Sequence, residues 1–180
     1  MAPLGLHRFL GYLPRTTQPR TSAAPANPPP LVTADLDPDL AARLFQSAVQ
    51  AQSFAHAPYS RFPVGAALLG EHGQVFAGCN VENASFGLTI CAERAALFAA
   101  VAQGVRRFRA VFIAAPTEGP VAPCGACRQV LAEFAPELVV YSRGRSGEVA
   151  RWRLDELLPQ AMGAADLQLG GETTAAGHES

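Results

Sequence analysis

Lysine is absent from this chain: all 14 basic residues are arginine. Schiff-base chemistry on a lysine amine is therefore excluded. An excess of charge is also missing, because 15 acidic residues leave a net charge of −1. That balance, with a pI of about 6.4, argues against a nucleic-acid partner bound through bulk positive charge and against a polybasic membrane anchor. No apolar run reaches the ~18 residues that a membrane span needs. Cysteine is sparse, with four in 180 residues: Cys79, Cys91, Cys124 and Cys127. No signal peptide is read ahead of them, and a chain with 49% hydrophobic residues buries a core without disulfide staples. Reduced thiols in a cytoplasmic protein are the expectation, used for metal binding or catalysis.

Proline is crowded at one end. Seven prolines fall in the first 30 positions, and residues 1–33 read as a disordered proline-rich extension. Arg8, Arg15 and Arg20, with no acid before Asp35, give it a faint likeness to a transit peptide; a dispensable tail is the plainer reading. Residues 34–165 read as one folded domain and 166–180 as a flexible tail.

Within the domain, Asp37 and Pro38 open a helix with Leu40, Leu44, Ala48 and Ala51 on one face, ending near Ala55. Val64–Leu69 and Gln74–Cys79 read as strands of an antiparallel hairpin around Gly70-Glu71-His72-Gly73. Helices are expected over Cys91–Gln103 and Cys124–Phe134, and strands over Arg109–Ala115, Leu138–Tyr141 and Val149–Trp152. The last two strands are joined too closely for a crossover helix, so they should be antiparallel. A short helix over Leu154–Met162, kinked or broken at Pro159, ends the domain. The pattern predicts an α/β three-layer sandwich: a five-stranded mixed sheet with helices on both faces.

Chemistry concentrates in Cys91-Ala92-Glu93 and Pro123-Cys124-Gly125-Ala126-Cys127. Cys124 and Cys127, three apart at a helix start, share a face. With Cys91 they make three thiolate ligands, which leave a tetrahedral Zn2+ one open, catalytic position. Glu93, two residues from Cys91 on the same helical turn, suits a general acid/base that is not itself a ligand, the arrangement of zinc deaminases. Zinc with three thiolates sums to −1, so positive charge is expected nearby. Two helix N-termini supply part of it, and Arg94 and Arg128 are expected to donate to the thiolates. Two plainer readings compete: a thioredoxin-like redox pair, and a structural zinc closed by Cys79.

Four motifs in one order resemble the cytidine deaminases of the small class with three cysteine ligands. They are Pro58-Tyr59-Ser60-Arg61-Phe62-Pro63-Val64-Gly65-Ala66-Ala67-Leu68, Gly78-Cys79-Asn80-Val81-Glu82-Asn83-Ala84, Cys91-Ala92-Glu93-Arg94 and Pro123-Cys124-Gly125-Ala126-Cys127-Arg128-Gln129. The resemblance covers nearly all of the domain. It implies a cytidine deaminase-like fold and zinc-dependent hydrolysis of cytidine and deoxycytidine to uridine and deoxyuridine, with release of ammonia, in pyrimidine salvage. It implies Phe62 against the pyrimidine ring, Asn80 and Glu82 on the ribose hydroxyls, and the Ala92 N–H on the base. An amide and a carboxylate two apart on extended chain point to one side, which suits a diol. The resemblance also implies a homotetramer whose pockets are closed by an aromatic near a neighbour's C-terminus. Here Leu157-Leu158-Pro159-Gln160-Ala161-Met162 ends in methionine instead. A related zinc deaminase for another cytosine nucleoside or nucleotide, such as a nucleoside antibiotic, is the alternative; a zinc-stabilised binding module without activity is a third reading.

Overall fold

The computed structural model describes residues 36–167. The expected extension over 1–33, and all of the expected tail except Asp166 and Leu167, lie outside the described residues. The first helix, α1, spans Pro38–Gln52. Asp37 caps it as read from sequence: its Oδ1 accepts the N–H groups of Asp39 and Leu40, both at 3.1 Å. The helix stops three residues before the expected end. Phe54 N donates to Ala51 O and Ala55 N to Gln52 O, so the chain tightens into three-residue turns before Pro58.

Strands β1 (Gly65–Gly70) and β2 (Val75–Cys79) form the expected antiparallel hairpin. Helix α2 (Ala92–Ala102) leads to β3 (Phe108–Ala114), and α3 (Gly125–Ala132) leads to β4 (Val139–Arg143). Strand β5 (Val149–Arg153) returns antiparallel to β4. The sheet order is β2-β1-β3-β4-β5, and only β3 and β4 run parallel. The mixed five-stranded sheet is thus the one expected, with bounds shifted by one or two residues. No helix among the described residues is long and apolar enough to cross a membrane.

Alternation along the strands builds two cores, because successive side chains leave opposite faces. Ala67, Leu69, Ala110, Phe112, Ala114 and Tyr141 meet Ala41, Leu44 and Ala48 of α1. There Phe112 and Tyr141 stack with centroids 4.6 Å apart. Ala66, Leu68, Val111, Ile113 and Val140 meet α2 and Leu131 of α3 on the other face. Each fully buried Leu or Ile side chain in these layers stabilises the fold by roughly 1.5–3 kcal/mol.

Two glycines set how closely helices approach the sheet. A Cβ on Gly65 would stand 1.9 Å from Ala48 O, and one on Gly78 would stand 2.4 Å from Ala96 N and 2.6 Å from Ala92 O. The first turn of α2 therefore lies directly on the β2 backbone.

The C-terminal helix differs from expectation. Helix α4 covers Leu154–Leu157 only, and Leu158 turns away at φ −141°. A residue before proline is pushed out of helical geometry, so Pro159 ends the helix rather than kinking it. A separate 3-10 turn follows at Ala164–Leu167. Another 3-10 turn, at Phe86–Leu88, had no sequence expectation.

Candidate active site

The site forms where β2 and β3 deliver the chain to the starts of α2 and α3. Cys91 is the N-cap of α2 and Cys124 the N-cap of α3, and neither side chain caps its own helix. Both sulfurs are left free to face one another, 3.7 Å apart. Cys127, one turn into α3, is fully buried and completes the group: the three sulfurs lie within 4.8 Å of one another. A tetrahedral zinc with Zn–S bonds of about 2.3 Å has S···S edges of about 3.8 Å. The cluster fits that ion. Cys79, half-buried at the end of β2, stands outside it, which removes the geometry needed for a fourth thiolate ligand.

In the metal-free protein the thiols share protons unequally. The Cys91 thiol is lowered to about 5, first by the hydrogen bond from Cys127 and then by Arg94. Cys127 is pushed well up by the same bond and by burial. The proton is thus held preferentially on Cys127 and the thiolate favoured on Cys91, and metal binding displaces thiol protons.

Glu93 is the second residue of α2 and only 5% exposed. Burial pushes its carboxyl upward, and the Cys91 charge pushes the same way. Ala92, fully buried, is the first helical residue. The first intrahelical N–H bond of the turn runs from Ala95 to Cys91 O at 3.0 Å, so the Ala92 N–H has no partner within the helix.

The two arginines differ. Arg94 Nη2 donates to Cys91 Sγ at 3.5 Å and to Thr89 O at 3.0 Å. Its Nε is buried without a partner. Arg128 does not make the expected thiolate contact. Its Nε donates to Pro123 O and its Nη1 to Leu157 O, both at 2.8 Å. Position three residues into α3 aims Arg128 back at the incoming loop, where carbonyls lack helical partners. It braces the residue before Cys124 and ties it to the end of α4.

Asn80 and Glu82 are brought beside Phe62. Asn80 is 8% exposed; its Nδ2 donates to Phe62 O at 2.9 Å and its Oδ1 accepts Val64 N at 2.8 Å. Glu82 accepts Tyr59 N at 2.9 Å, Ser60 N at 3.2 Å and the Ser60 hydroxyl. That hydroxyl chiefly holds the Glu82 carboxyl below its ordinary range. Phe62 keeps 38% of its surface exposed and follows Arg61, whose φ of 55° is a strained, left-handed conformation for a long side chain. Val81, between the two polar residues, bridges to Ile90 beside Cys91. This short bridge lays the Asn80–Glu82 segment alongside the thiol segment.

Two further residues had no sequence role. Ser60 holds both Glu82 and Phe62 N, the latter at 3.0 Å. Gln129 clamps the main chain of Met162 from both sides, donating to its O at 2.7 Å and accepting from its N at 3.2 Å. Gln129 lay inside a motif, but nothing local in the sequence tells an amide that binds backbone from one that meets solvent.

Residues 39–143 match the family model of the cytidine and deoxycytidylate deaminase zinc-binding region. The chain is 47% identical over 131 residues to the cytidine deaminase of Sporosarcina psychrophila, covering 72% of this chain and 96% of that one. It is 45% identical over 122 residues to the cytidine deaminase of Mycobacterium tuberculosis, covering 67% and 88%. Among solved structures, the cytidine deaminase of Burkholderia pseudomallei aligns with a TM-score of 0.65 at 50% identity, covering 67% of this chain and 98% of that one. The family model spans more than half of the chain and includes all three clustered cysteines, and the solved relative shares the sheet that positions them. On these grounds the chain belongs to the cytidine and deoxycytidylate deaminase family and is a zinc-dependent hydrolase.

Proposed function

We propose that this protein hydrolyses cytidine and deoxycytidine to uridine and deoxyuridine, releasing ammonia, as a step of pyrimidine salvage in the cytoplasm. The observation that carries the reading is Glu93: a carboxyl 5% exposed, raised by burial, two residues from one thiol of a zinc-sized cluster. A carboxyl raised in this way holds a proton more readily than one in solvent, which suits a group that takes and returns protons during a reaction.

Zinc, when bound, supplies a Lewis acid that makes water a nucleophile at neutral pH. Glu93 takes a proton from water and delivers it to N3 of the ring. Oxygen adds at C4 as hydroxyl, and Glu93 takes that hydroxyl's proton and passes it to the exocyclic amine. The C4–N bond breaks, ammonia leaves, and C4 keeps the oxygen as a carbonyl. Ala92 presents its N–H to the base. Arg94 offsets the charge of the thiolates, and Arg128 holds the loop that delivers Cys124. Phe62 packs on the ring. Asn80 retains one N–H and one lone pair beyond its loop bonds, and Glu82 retains roughly one acceptor position, enough for two ribose hydroxyls.

The active unit we propose is a homotetramer. Phe54, Phe86, Leu88 and Met162 are 57–74% exposed in one chain, apolar surface that neighbouring subunits would cover. Reduced thiolates suit the cytoplasm.

The test is ammonia release from cytidine and deoxycytidine, compared with cytidine monophosphate and a cytosine-containing oligonucleotide. Turnover of the two free nucleosides is expected, lost in Glu93→Ala while zinc content and fold persist. Near-normal turnover in Glu93→Ala, or activity confined to the nucleotide or oligonucleotide, would overturn the reading.

A further inference from the structure

A second charged site lies on the opposite face of the sheet from the thiol cluster. Arg143, the last residue of β4, is 5% exposed. Its guanidinium lies over the Phe45 ring, 4.6 Å from the centroid. Among the described residues its side chain makes no hydrogen bond and no ion pair, although Glu118 and Glu148 stand in the flanking loops. Burial alone displaces its pKa, downward, and no neighbouring charge acts against it.

Guanidinium does not deprotonate in proteins, so this charge stays, and no described residue compensates it. A ring face offsets only part of the desolvation cost of a buried cation. Arg143 opens into a cavity of about 300 Å3. Phe45, Val49, Ala114 and Ala115 form its apolar wall, and Arg145 brings a second positive charge. Arg145 is itself steadied by donating to Pro116 O. Among the described residues no carboxylate lines the cavity. Two guanidinium groups, one of them buried and unpaired, match the oxygens of a phosphate through parallel N–H donors. A volume at the lower end of the ~300–1,000 Å3 range of small-molecule pockets admits a compact ligand.

We propose that the cavity around Arg143 and Arg145 is an anion site for a phosphate group, either free phosphate or the phosphate of a small ester. The site is also placed to be felt by the thiol cluster. Val121 N donates to Ser142 Oγ at 3.0 Å, Arg145 N to Thr117 O at 2.8 Å and Ser146 N to Glu118 O at 2.9 Å. The strand end that holds the anion thus anchors the loop that runs on to Cys124.

Thermal unfolding of the zinc-loaded protein tests this, with inorganic phosphate or glycerol 3-phosphate titrated against sodium chloride at equal ionic strength. A ligand that binds only the folded state raises Tm saturably. We expect such a rise for the wild type, lost in Arg143→Met and reached only at several-fold higher ligand in Arg145→Gln. Response to inorganic phosphate alone assigns free phosphate; a tighter response to glycerol 3-phosphate assigns an ester. The Arg145→Gln titration stands alone if Arg143→Met does not fold. No saturable rise in the wild type, or an unchanged rise in both variants, would overturn the proposal. So would a smaller oligomer for Arg143→Met with no phosphate response in the wild type, because Arg143 would then face another subunit.

Discussion

Asn80 holds Phe62 in place: its Nδ2 donates to Phe62 O at 2.9 Å, while its Oδ1 takes the N–H of Val64 at 2.8 Å. The two residues proposed to meet sugar and base are one hydrogen-bonded unit. Asn80→Ala strands two main-chain groups, each worth about 1–3 kcal/mol when buried and unmet. KM for cytidine is expected to rise by about 10- to 100-fold with zinc content unchanged. Steady-state kinetics with metal analysis checks this, and an unaltered KM would separate Asn80 from nucleoside binding.

Arg94 and Arg128 should fail differently. Arg94 donates to a cluster sulfur, so Arg94→Gln is expected to lower kcat while zinc is retained. Arg128 braces Pro123 and Leu157, so Arg128→Gln should speed zinc loss to a chelator. Equal chelator kinetics in wild type and Arg128→Gln would remove its bracing role.

Thiol reactivity in the metal-free protein should follow the unequal proton sharing. Cys91 is lowered to about 5; the thiolate is the nucleophile, so its alkylation rises as pH rises through that value. Cys127, raised and buried, stays protonated and slow throughout. Mass spectrometry of alkylated peptides at pH 6–7 should find Cys91 modified well ahead of Cys127. Modification of Cys127 first would reverse the assignment.

Gly78→Ala should damage fold and site together. Its Cβ would meet Ala96 N at 2.4 Å and Ala92 O at 2.6 Å, both main-chain atoms that cannot swing aside. Overpacking of this kind costs about 1–3 kcal/mol, and relief requires α2 to move with Cys91 and Glu93. A lowered Tm together with weakened zinc retention is expected; wild-type values for both would mean the helix accommodates the methyl freely.

Met162 is 57% exposed while Gln129 fixes its main chain. A fixed backbone with a free side chain is suited to covering a neighbour's pocket. Met162→Phe restores the aromatic that the resemblance leads one to expect there, and should lower KM modestly without changing zinc content. A KM that does not improve would rule out the lid role.

Features that depend on short covalent distances are legible in the residue order alone. The Asp37 cap, the hairpin at Gly70–Gly73, and the placement of Cys124 and Cys127 on one helical turn all follow from neighbours a few residues apart. So did the sheet: its alternation of apolar residues leaves two faces to cover, and strands separated by helices cover both. The spacing of Cys91 and Glu93 carried the candidate chemistry for the same reason.

Which distant groups meet depends on three-dimensional packing. It set Cys91 3.7 Å from Cys124 and left Cys79 aside. It separated Arg94 from Arg128, although each lies within three residues of a clustered cysteine. It turned Asn80 and Glu82 toward the Phe62 loop, ended α4 at Leu157, and left Arg143 buried without a counter-charge among the described residues. Each of these depends on how helices seat against the sheet, at Gly65 and Gly78 to within a missing methyl group. A hydrogen-bond partner thirty residues away leaves no periodic mark in the sequence, because contact across a packed interface depends on distance and orientation and not on order along the chain.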